Sequence, residues 1–170
     1  MKVIRGIPPS FHKTPCALTI GNFDGVHQGH LALLKKLQIQ ANQLQVQTCV
    51  LTFEPHPKEF FDPANAPARI LNLRDKLEAL QAANIDLVVV ERFNANFASM
   101  SPEGFVQKII VDGLRAKHIV VGDDFCYGAK RAGSFTTLQQ AGKMSGFTVE
   151  SMDTVLDQQH TRISSSAIRQ

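Results

Sequence analysis

ALTIGNFDGVHQGH, residues 17–30, joins a short apolar run to a glycine-rich turn and the start of a helix. The apolar run over residues 17–20 predicts a buried strand. Leucine and isoleucine recur at roughly helical spacing after His30, which predicts a helix over residues 30–44. A strand that passes through a glycine-rich turn into a helix is typical of the first unit of a parallel α/β sheet.

The same alternation continues along the rest of the chain. Apolar runs predict further strands over residues 46–53, 86–90, 118–121 and 147–151, and helical patterns lie over residues 73–83, 101–115 and 136–145. Asn72 and the pair Ser101-Pro102 are typical helix starts, and Gly146 is a typical helix end. Right-handed crossovers then predict an α/β, doubly wound, mainly parallel sheet with helices on both faces. Ligands of such sheets bind beyond the carboxyl ends of the strands, so the loops after each strand are the candidate site.

Composition narrows the class of protein. Hydrophobic residues make up 44% and charged residues 19% of 170 residues, which is ordinary for one folded domain. No apolar run approaches the ~18 residues that span a bilayer, and the charged, proline-containing start argues against a signal peptide. Three widely spaced cysteines argue against a disulfide framework and favour the cytoplasm. The net charge is only +3 and the basic residues are scattered along the sequence, which gives no support to nucleic-acid binding.

The loop after the first strand has the chemistry of a phosphate site. Three glycines allow a ligand to approach the backbone, and His27 and His30 share one face of the helix that follows. The free N–H groups at that helix start also favour an anion. Neither the P-loop pattern nor the dinucleotide pattern G-x-G-x-x-G is present. The alternatives are a metal-binding histidine pair, for which no third ligand is evident, and two structural histidines.

Two further loops carry possible ligand groups. Residues 53–57 hold two prolines around His56, which predicts a stiff loop that presents Phe53, His56 and Phe60 or Phe61 to a planar aromatic ligand; the alternative is a rigid surface turn. Residues 122–133 combine the carboxylates Asp123 and Asp124 with the cations Lys130 and Arg131. This pattern suits a Mg²⁺–nucleotide site, and the alternative is a solvated loop with an ordinary ion pair.

The end of the chain, residues 162–169, places Arg162 and Arg169 around three serines. Guanidinium and hydroxyl groups are common phosphate donors. The alternative is a helix start capped by serine.

Four segments together resemble a known family. GNFDGVHQGH (residues 21–30), FEPHP (53–57), VGDDFCYG (121–128) and RISSSAIR (162–169) stand in the order found in the FMN adenylyltransferase, or FAD synthetase, module of bacterial bifunctional riboflavin kinase/FAD synthetases. That module belongs to the nucleotidylyltransferase superfamily. The resemblance extends across nearly the whole chain and implies a Rossmann-like nucleotidylyltransferase fold.

The resemblance also implies roles for individual residues. His27 and His30 are the expected catalytic pair, and Asp124 is a candidate metal ligand. Some family members have Asn at the position of Asp124, so the resemblance does not define the role of Asp124. The family usually has Thr at the position of Ser166, and Ser keeps the hydroxyl group. The expected nucleotide-binding residues are Gly21, Asn22, Phe23, Asp24, Gly25, Asp124, Arg162, Ser165, Ser166 and Arg169. The expected flavin-binding residues are Phe53, Pro55, His56, Pro57 and Phe125.

The implied reaction transfers the adenylyl group of ATP to FMN and gives FAD and pyrophosphate, with Mg²⁺ as cofactor. The phosphate of FMN is already ionised at neutral pH, so in-line attack needs neither a covalent enzyme intermediate nor a general base. Residues 1–170 are then expected to form the adenylyltransferase domain without the riboflavin kinase domain, acting on nucleotides and flavin in the cytoplasm, with no membrane or nucleic-acid partner. The alternatives are adenylyl or cytidylyl transfer to another phosphate such as phosphopantetheine, a non-catalytic flavin- or nucleotide-binding module, and a nucleic-acid binder.

Overall fold

A computed structural model of the chain describes residues 1–8 and 14–153. Its main sheet has six parallel strands in the order β1-β4-β3-β2-β5-β8, and a two-stranded antiparallel ribbon pairs β6 with β7. The five strands expected from the sequence are all present within two residues of the expected ends. The strands are β1 (Lys2–Arg5), β2 (Cys16–Ile20), β3 (Gln47–Glu54), β4 (Leu87–Arg92), β5 (Ala116–Gly122), β6 (Cys126–Tyr127), β7 (Gly133–Ser134) and β8 (Thr148–Met152).

Helices connect the strands, and side-chain caps fix where they begin. Asn72 and Ser101 each accept a hydrogen bond from the backbone three residues on, as expected, and Gly146 ends the last helix with φ 82°. The expected helix over residues 101–115 begins as α-helix and continues through wider π-type turns over Val106–Gly113. The helices are α1 (Gln28–Leu44), α2 (Pro57–Phe61), α3 (Leu73–Ala82), α4 (Ala95–Ala98), α5 (Pro102–Phe105, continued by Val106–Gly113) and α6 (Phe135–Ser145).

Two hydrophobic layers cover the two faces of the sheet. Alternate strand residues such as Leu18 and Leu51 pack with Phe105, Ile110 and Leu138 from α5 and α6. The intervening strand residues, among them Val50 and Val88, pack with Leu34, Leu37 and Leu80 from α1 and α3. The expected doubly wound sheet with helices on both faces is therefore confirmed.

The structure differs from the sequence prediction in several places. β1 was not expected; it pairs in parallel with β4 at the edge of the sheet. The stiff loop expected over residues 53–57 is shorter, because Phe53 still belongs to β3 and Pro57 already begins α2. The ribbon formed by β6 and β7 was also not expected.

The topology places the candidate loops together. The strand order reverses between β2 and β5, which are neighbours in the sheet although β3 and β4 separate them in sequence. A crevice forms at such a reversal, outside the carboxyl ends of the strands. Loop 1 (residues 21–27), which follows β2, and the loop over residues 122–133, which follows β5, meet at this crevice.

Candidate active site

A cavity of about 1290 Å³ occupies the crevice. It is open on one side and has a polar end at loop 1 and an aromatic wall opposite. All five loops that follow the expected strands contribute to its lining. The expected site residues that line it are Gly21, Asn22, Phe23, His27, His30, Phe53, Pro57, Asp124 and Phe125.

His27 and His30 lie ring against ring at the start of α1. Their ring centroids are 3.8 Å apart with 20° between the planes, and His30 also contacts the ring of Phe23 at 4.8 Å. His27 is the N-cap of the helix, where its Nδ1 accepts a hydrogen bond from the backbone N–H of His30 at 3.4 Å. His27 therefore holds its proton on Nε2 when the ring is neutral. The expected placement of both rings on one helix face is confirmed.

Both rings are neutral at physiological pH. Burial lowers the pKa of His27. It also lowers the pKa of His30 to about 3; the charges of His27 and Lys76 add to this effect and Asp24 opposes it. The pair therefore contributes polarised N–H donors rather than fixed positive charges. The neutral state follows from burial at the base of the cavity, which could not be predicted from the sequence.

His30→Ala should make the stability of the protein less sensitive to acid. The unfolded chain binds a proton at this histidine below about pH 6.5, whereas the folded protein does not until pH about 3. Protonation of His30 in the unfolded chain therefore does not lower the free energy of unfolding above about pH 6.5. Below about pH 6.5, it lowers that free energy by at most about 1.4 kcal/mol for each pH unit. Urea unfolding at pH 7.5, 6 and 5 measures the slope. Parallel pH profiles for wild type and variant would contradict the charge state assigned to His30.

Asp24 and Gly25 build loop 1 rather than the cavity surface. The carboxylate of Asp24 is 4% exposed and accepts the backbone N–H groups of Ile70 and Leu71 at 2.9 and 3.2 Å. Gly25 has φ 89°, and a Cβ there would come within 3.0 Å of the side chain of Ile70. Both residues therefore fasten loop 1 to the segment that leads into α3.

Pro55 and His56 also lie outside the cavity lining. His56 is the N-cap of α2; its Nδ1 accepts the N–H of Lys58 at 3.1 Å, and Glu59 closes a capping box. Burial lowers the pKa of His56. The expected nucleotide-binding residues Arg162, Ser165, Ser166 and Arg169 lie outside the described residues.

An aromatic wall forms the other end of the cavity. Phe93 is its centre, with ring centroids 5.5 to 5.8 Å from those of Phe53, Phe60, Phe61 and Phe97. Phe105, Phe125 and Tyr127 extend it, with Phe125 and Tyr127 stacked at 18°. Of these, the sequence reasoning missed Phe93, Phe97, Phe105 and Tyr127. The available signal was the pair Phe93 and Phe97 just after β4, in a loop that the topology marks.

The loop over residues 122–133 carries two cations in unusual backbone conformations. Lys130 and Arg131 line the cavity with φ 54° and 56°, although neither is glycine. The loop is held from both sides: the N–H of Ala129 donates to the carbonyl of Met100 at 2.7 Å, and the ring of Tyr127 covers Gly133. Non-glycine residues in this region cost of order 1–3 kcal/mol each and cluster at ligand sites.

Few side chains that could bind a metal ion lie close together within the part of the chain that is described. No group of three or more His, Cys, Asp and Glu side chains gathers there closely enough to hold a metal ion. Asp123 and Asp124 do line the cavity. Mg²⁺ commonly binds through one or two carboxylates and completes its shell with water and substrate phosphates, so these two carboxylates fit that kind of site.

The fold and the site together define a doubly wound, parallel α/β protein with a histidine pair and an aromatic wall in one crevice at the carboxyl ends of its strands. The profile of the FAD synthetase family matches residues 10–167. The chain belongs to the FAD synthetase family.

Curated relatives cover the whole chain. A bifunctional riboflavin kinase/FMN adenylyltransferase of Haemophilus influenzae is 45% identical over all of this chain and 55% of its own length. The protein of the same name from Escherichia coli K12 is 44% identical over the same shares, and that of Pseudomonas fluorescens is 47% identical over 91% of this chain and 49% of its own. The chain thus spans about half the length of the curated relatives that it matches.

Solved structures support the fold. A structure described as a macrolide-efflux protein of Streptococcus pneumoniae superposes with a TM-score of 0.79 at 23% identity, over 99% of this chain and 56% of its own. A pantoate–β-alanine ligase of Francisella tularensis superposes with a TM-score of 0.58 at 14% identity, over 92% and 65%. At these sequence identities, the two structures support the fold and nothing further. In residues 1–8 and 14–153, none of the helices has the length and apolarity to cross a bilayer.

Proposed function

We propose that this chain is an FMN adenylyltransferase, which transfers the adenylyl group of ATP to FMN and releases pyrophosphate. The observation that carries the proposal is a single cavity that joins a histidine-bearing helix start to an aromatic wall. The reaction needs both ends, because its two substrates are a triphosphate and a flat apolar ring that carries a phosphate. The curated relatives bear the same activity in their name.

The histidine end suits the phosphates of ATP. The start of α1 offers backbone N–H groups, and the neutral rings of His27 and His30 add donors beside them. Donors that are already in place stabilise the charge that develops on the α-phosphate and on the departing pyrophosphate. Arg162, Ser165, Ser166 and Arg169, which lie outside the described residues, would add phosphate donors from the closing side.

The aromatic wall suits the isoalloxazine ring of FMN. Phe53, Phe93 and Phe97 present ring edges and faces at 5.3 to 5.8 Å from one another. Aromatic rings prefer offset or edge-to-face contacts at such distances, and a planar ligand can stack against the exposed ones. Phe61 is 67% exposed at the rim and offers the largest free aromatic surface.

The chemistry then follows from placement. An oxygen of the ionised FMN phosphate forms a bond to the α-phosphorus of ATP while the bond to the β-phosphate oxygen breaks, and pyrophosphate leaves with its electron pair. No side chain of the protein becomes bonded to the substrate. The residues hold two anions in line against their mutual repulsion, and such positioning supplies on the order of 7–11 kcal/mol of barrier reduction.

Mg²⁺ is the proposed cofactor, with Asp123 and Asp124 as the described carboxylates that would hold it; when bound, it neutralises phosphate charge. We also propose that residues 1–170 form the adenylyltransferase module of a longer family architecture and act in the cytoplasm. The proposed small-molecule partners are ATP, FMN and FAD.

Incubation with ATP, Mg²⁺ and FMN tests the function. The expected result is equal amounts of FAD, separated by HPLC, and of pyrophosphate, measured by a coupled assay. Parallel reactions with phosphopantetheine in place of FMN test the nearest alternative substrate, and the aromatic wall predicts a strong preference for FMN. Pyrophosphate formed with phosphopantetheine but not with FMN would overturn the assignment, and the absence of both products would favour a binding module.

A further inference from the structure

A lysine is buried beneath loop 1, out of reach of the cavity. Lys76 lies on the first turns of α3 and is only 5% exposed. Lysine is almost never buried to this degree without a partner. Burial lowers the pKa of its ammonium group, and nearby carboxylates oppose that shift. Lys76 is not among the described residues that line the cavity, so any effect that it has on a ligand there must act through other groups.

Lys76 connects to the backbone of loop 1 through one hydroxyl group. Its Nζ donates to Oγ1 of Thr52 at 3.5 Å, and the same Oγ1 donates to the carbonyl of Asn22 at 3.2 Å. A hydroxyl has one proton and two lone pairs, so the ammonium group above its lone pairs directs the proton toward Asn22. Thr52 is fully buried and Asn22 lines the cavity. The chain of hydrogen bonds therefore runs from α3 to the floor of the site.

The charges beneath loop 1 are nearly balanced only when Lys76 is counted. Arg69 binds Glu54 at 2.6 Å and Glu59 at 2.5 Å. Together with Asp24, these glutamates make three carboxylates, which face two cations, Arg69 and Lys76. Without Lys76, only one cation would face the three carboxylates. The titratable groups whose charges influence Lys76, or are influenced by it, are Asp24, His30, Glu54, His56, Glu59 and Arg69.

The described cavity lining does not supply the missing positive charge. Lys58, Lys130 and Arg131 face four aspartates there, and both histidines of the site are neutral. A phosphate that binds at the start of α1 therefore depends on what lies directly behind loop 1. An excess of carboxylate charge at that place would repel it, most strongly from Asp24, which is buried and therefore weakly screened, and less from Glu54 and Glu59, which are part-exposed.

We propose that Lys76 is a positioning residue of the adenylyl-transfer site: it fixes the Asn22 backbone through Thr52 and offsets the carboxylates beneath loop 1, so that substrate phosphates bind above them. The inference rests on the proposed function. The ammonium group of Lys76 then has two tasks that can be separated. The anchoring task holds the Asn22 backbone and needs Thr52, whereas the charge task offsets the carboxylates and does not need Thr52.

Lys76→Met and Thr52→Val separate the two tasks. Lys76→Met, which keeps the apolar stem, should raise the KM for ATP about tenfold, by analogy with the cost of losing the group that holds a metal ligand in place. Thr52→Val breaks the hydrogen-bond chain but keeps the charge, so it should lower kcat with a smaller change in KM. In Lys76→Met the pKa of His30, followed by NMR of the ring protons, should rise, and in Thr52→Val it should not. A merely structural role would not produce this contrast.

Lys36→Met is the matched control, because Lys36 is a half-buried lysine on α1 that pairs with Glu150 at 2.8 Å, outside the cavity lining. It should leave KM, kcat and the His30 pKa unchanged. A folded Lys76→Met protein with wild-type KM and wild-type His30 pKa overturns the proposal. If Lys76→Met does not fold, wild-type kinetics in Thr52→Val overturns it. If the wild type makes no FAD, the proposed function fails, and ATP affinity by calorimetry together with the His30 titration still decides the role of Lys76.

Discussion

His30→Ala lowers the rate of FAD formation by about 10²- to 10³-fold, the usual cost of removing one donor that is already aimed at developing charge. His30 is the more buried ring of the pair and is held between His27 and Phe23. Its neutral ring does not attract the triphosphate at long range, so its effect belongs to the transition state. We therefore expect kcat and kcat/KM to fall together, with little change in KM for ATP.

Initial rates at saturating FMN with varied ATP measure this effect. Gln43→Ala, an exposed substitution on the last turn of the same helix, is the control and should keep full activity. Thermal unfolding should show that His30→Ala remains folded at assay temperature. Full turnover in folded His30→Ala would remove the histidine pair from the proposed mechanism.

Local sequence rules were enough to predict most of the sheet and its helix ends. Apolar runs such as Leu87–Val90 mark strands that are buried on both faces, and Asn72 and Ser101 act as caps through their own side chains. These features depend on neighbours in sequence. β1 was missed because its burial is slight: of Lys2, Val3, Ile4 and Arg5, three are exposed, and only the long-range pairing with β4 makes them a strand.

The site was predictable where one segment supplies the chemistry. His27 and His30 are three residues apart on one helix, so their contact follows from helix geometry. Their neutral state does not, because it comes mainly from burial; for His30, His27 and then Lys76 on another helix lower the pKa further. Lys76 itself looks like a surface residue on an amphipathic helix; only packing of α3 against β3 places it beneath loop 1.

The aromatic wall shows the same limit. Phe53, Phe93 and Phe105 come from separate parts of the chain, and only the fold brings them into one wall. No spacing rule relates them. Asp24 is a further case: its place within the glycine-rich turn predicts contact with nucleotide, but its contact with the backbone of Ile70 and Leu71 depends on a distant segment and could not be predicted.

Gly128→Ala should abolish most FAD formation by displacing the loop over residues 122–133. Gly128 has φ 74° and ψ 172°, a region that essentially only glycine occupies. A Cβ there would lie 2.8 Å from the backbone nitrogen of Pro102, which is fixed as the first residue of α5. The loop must therefore move away from α5, and Lys130 and Arg131 must move with it. A displacement of about 1 Å can cost about 10²-fold in rate.

Gly146→Ala separates backbone strain from loop displacement. Gly146 also has a positive φ, 82°, but a Cβ there would meet nothing within 4 Å, and the residue lies at the end of α6 outside the cavity lining. Both variants should lose about 1–3 kcal/mol of unfolding free energy through strain, measured by urea denaturation. Only Gly128→Ala should lose activity, because only its clash moves residues that face the substrates. Equal turnover in the two variants would mean that the position of this loop does not matter for the reaction, and Lys130 and Arg131 would then have no part in phosphate binding.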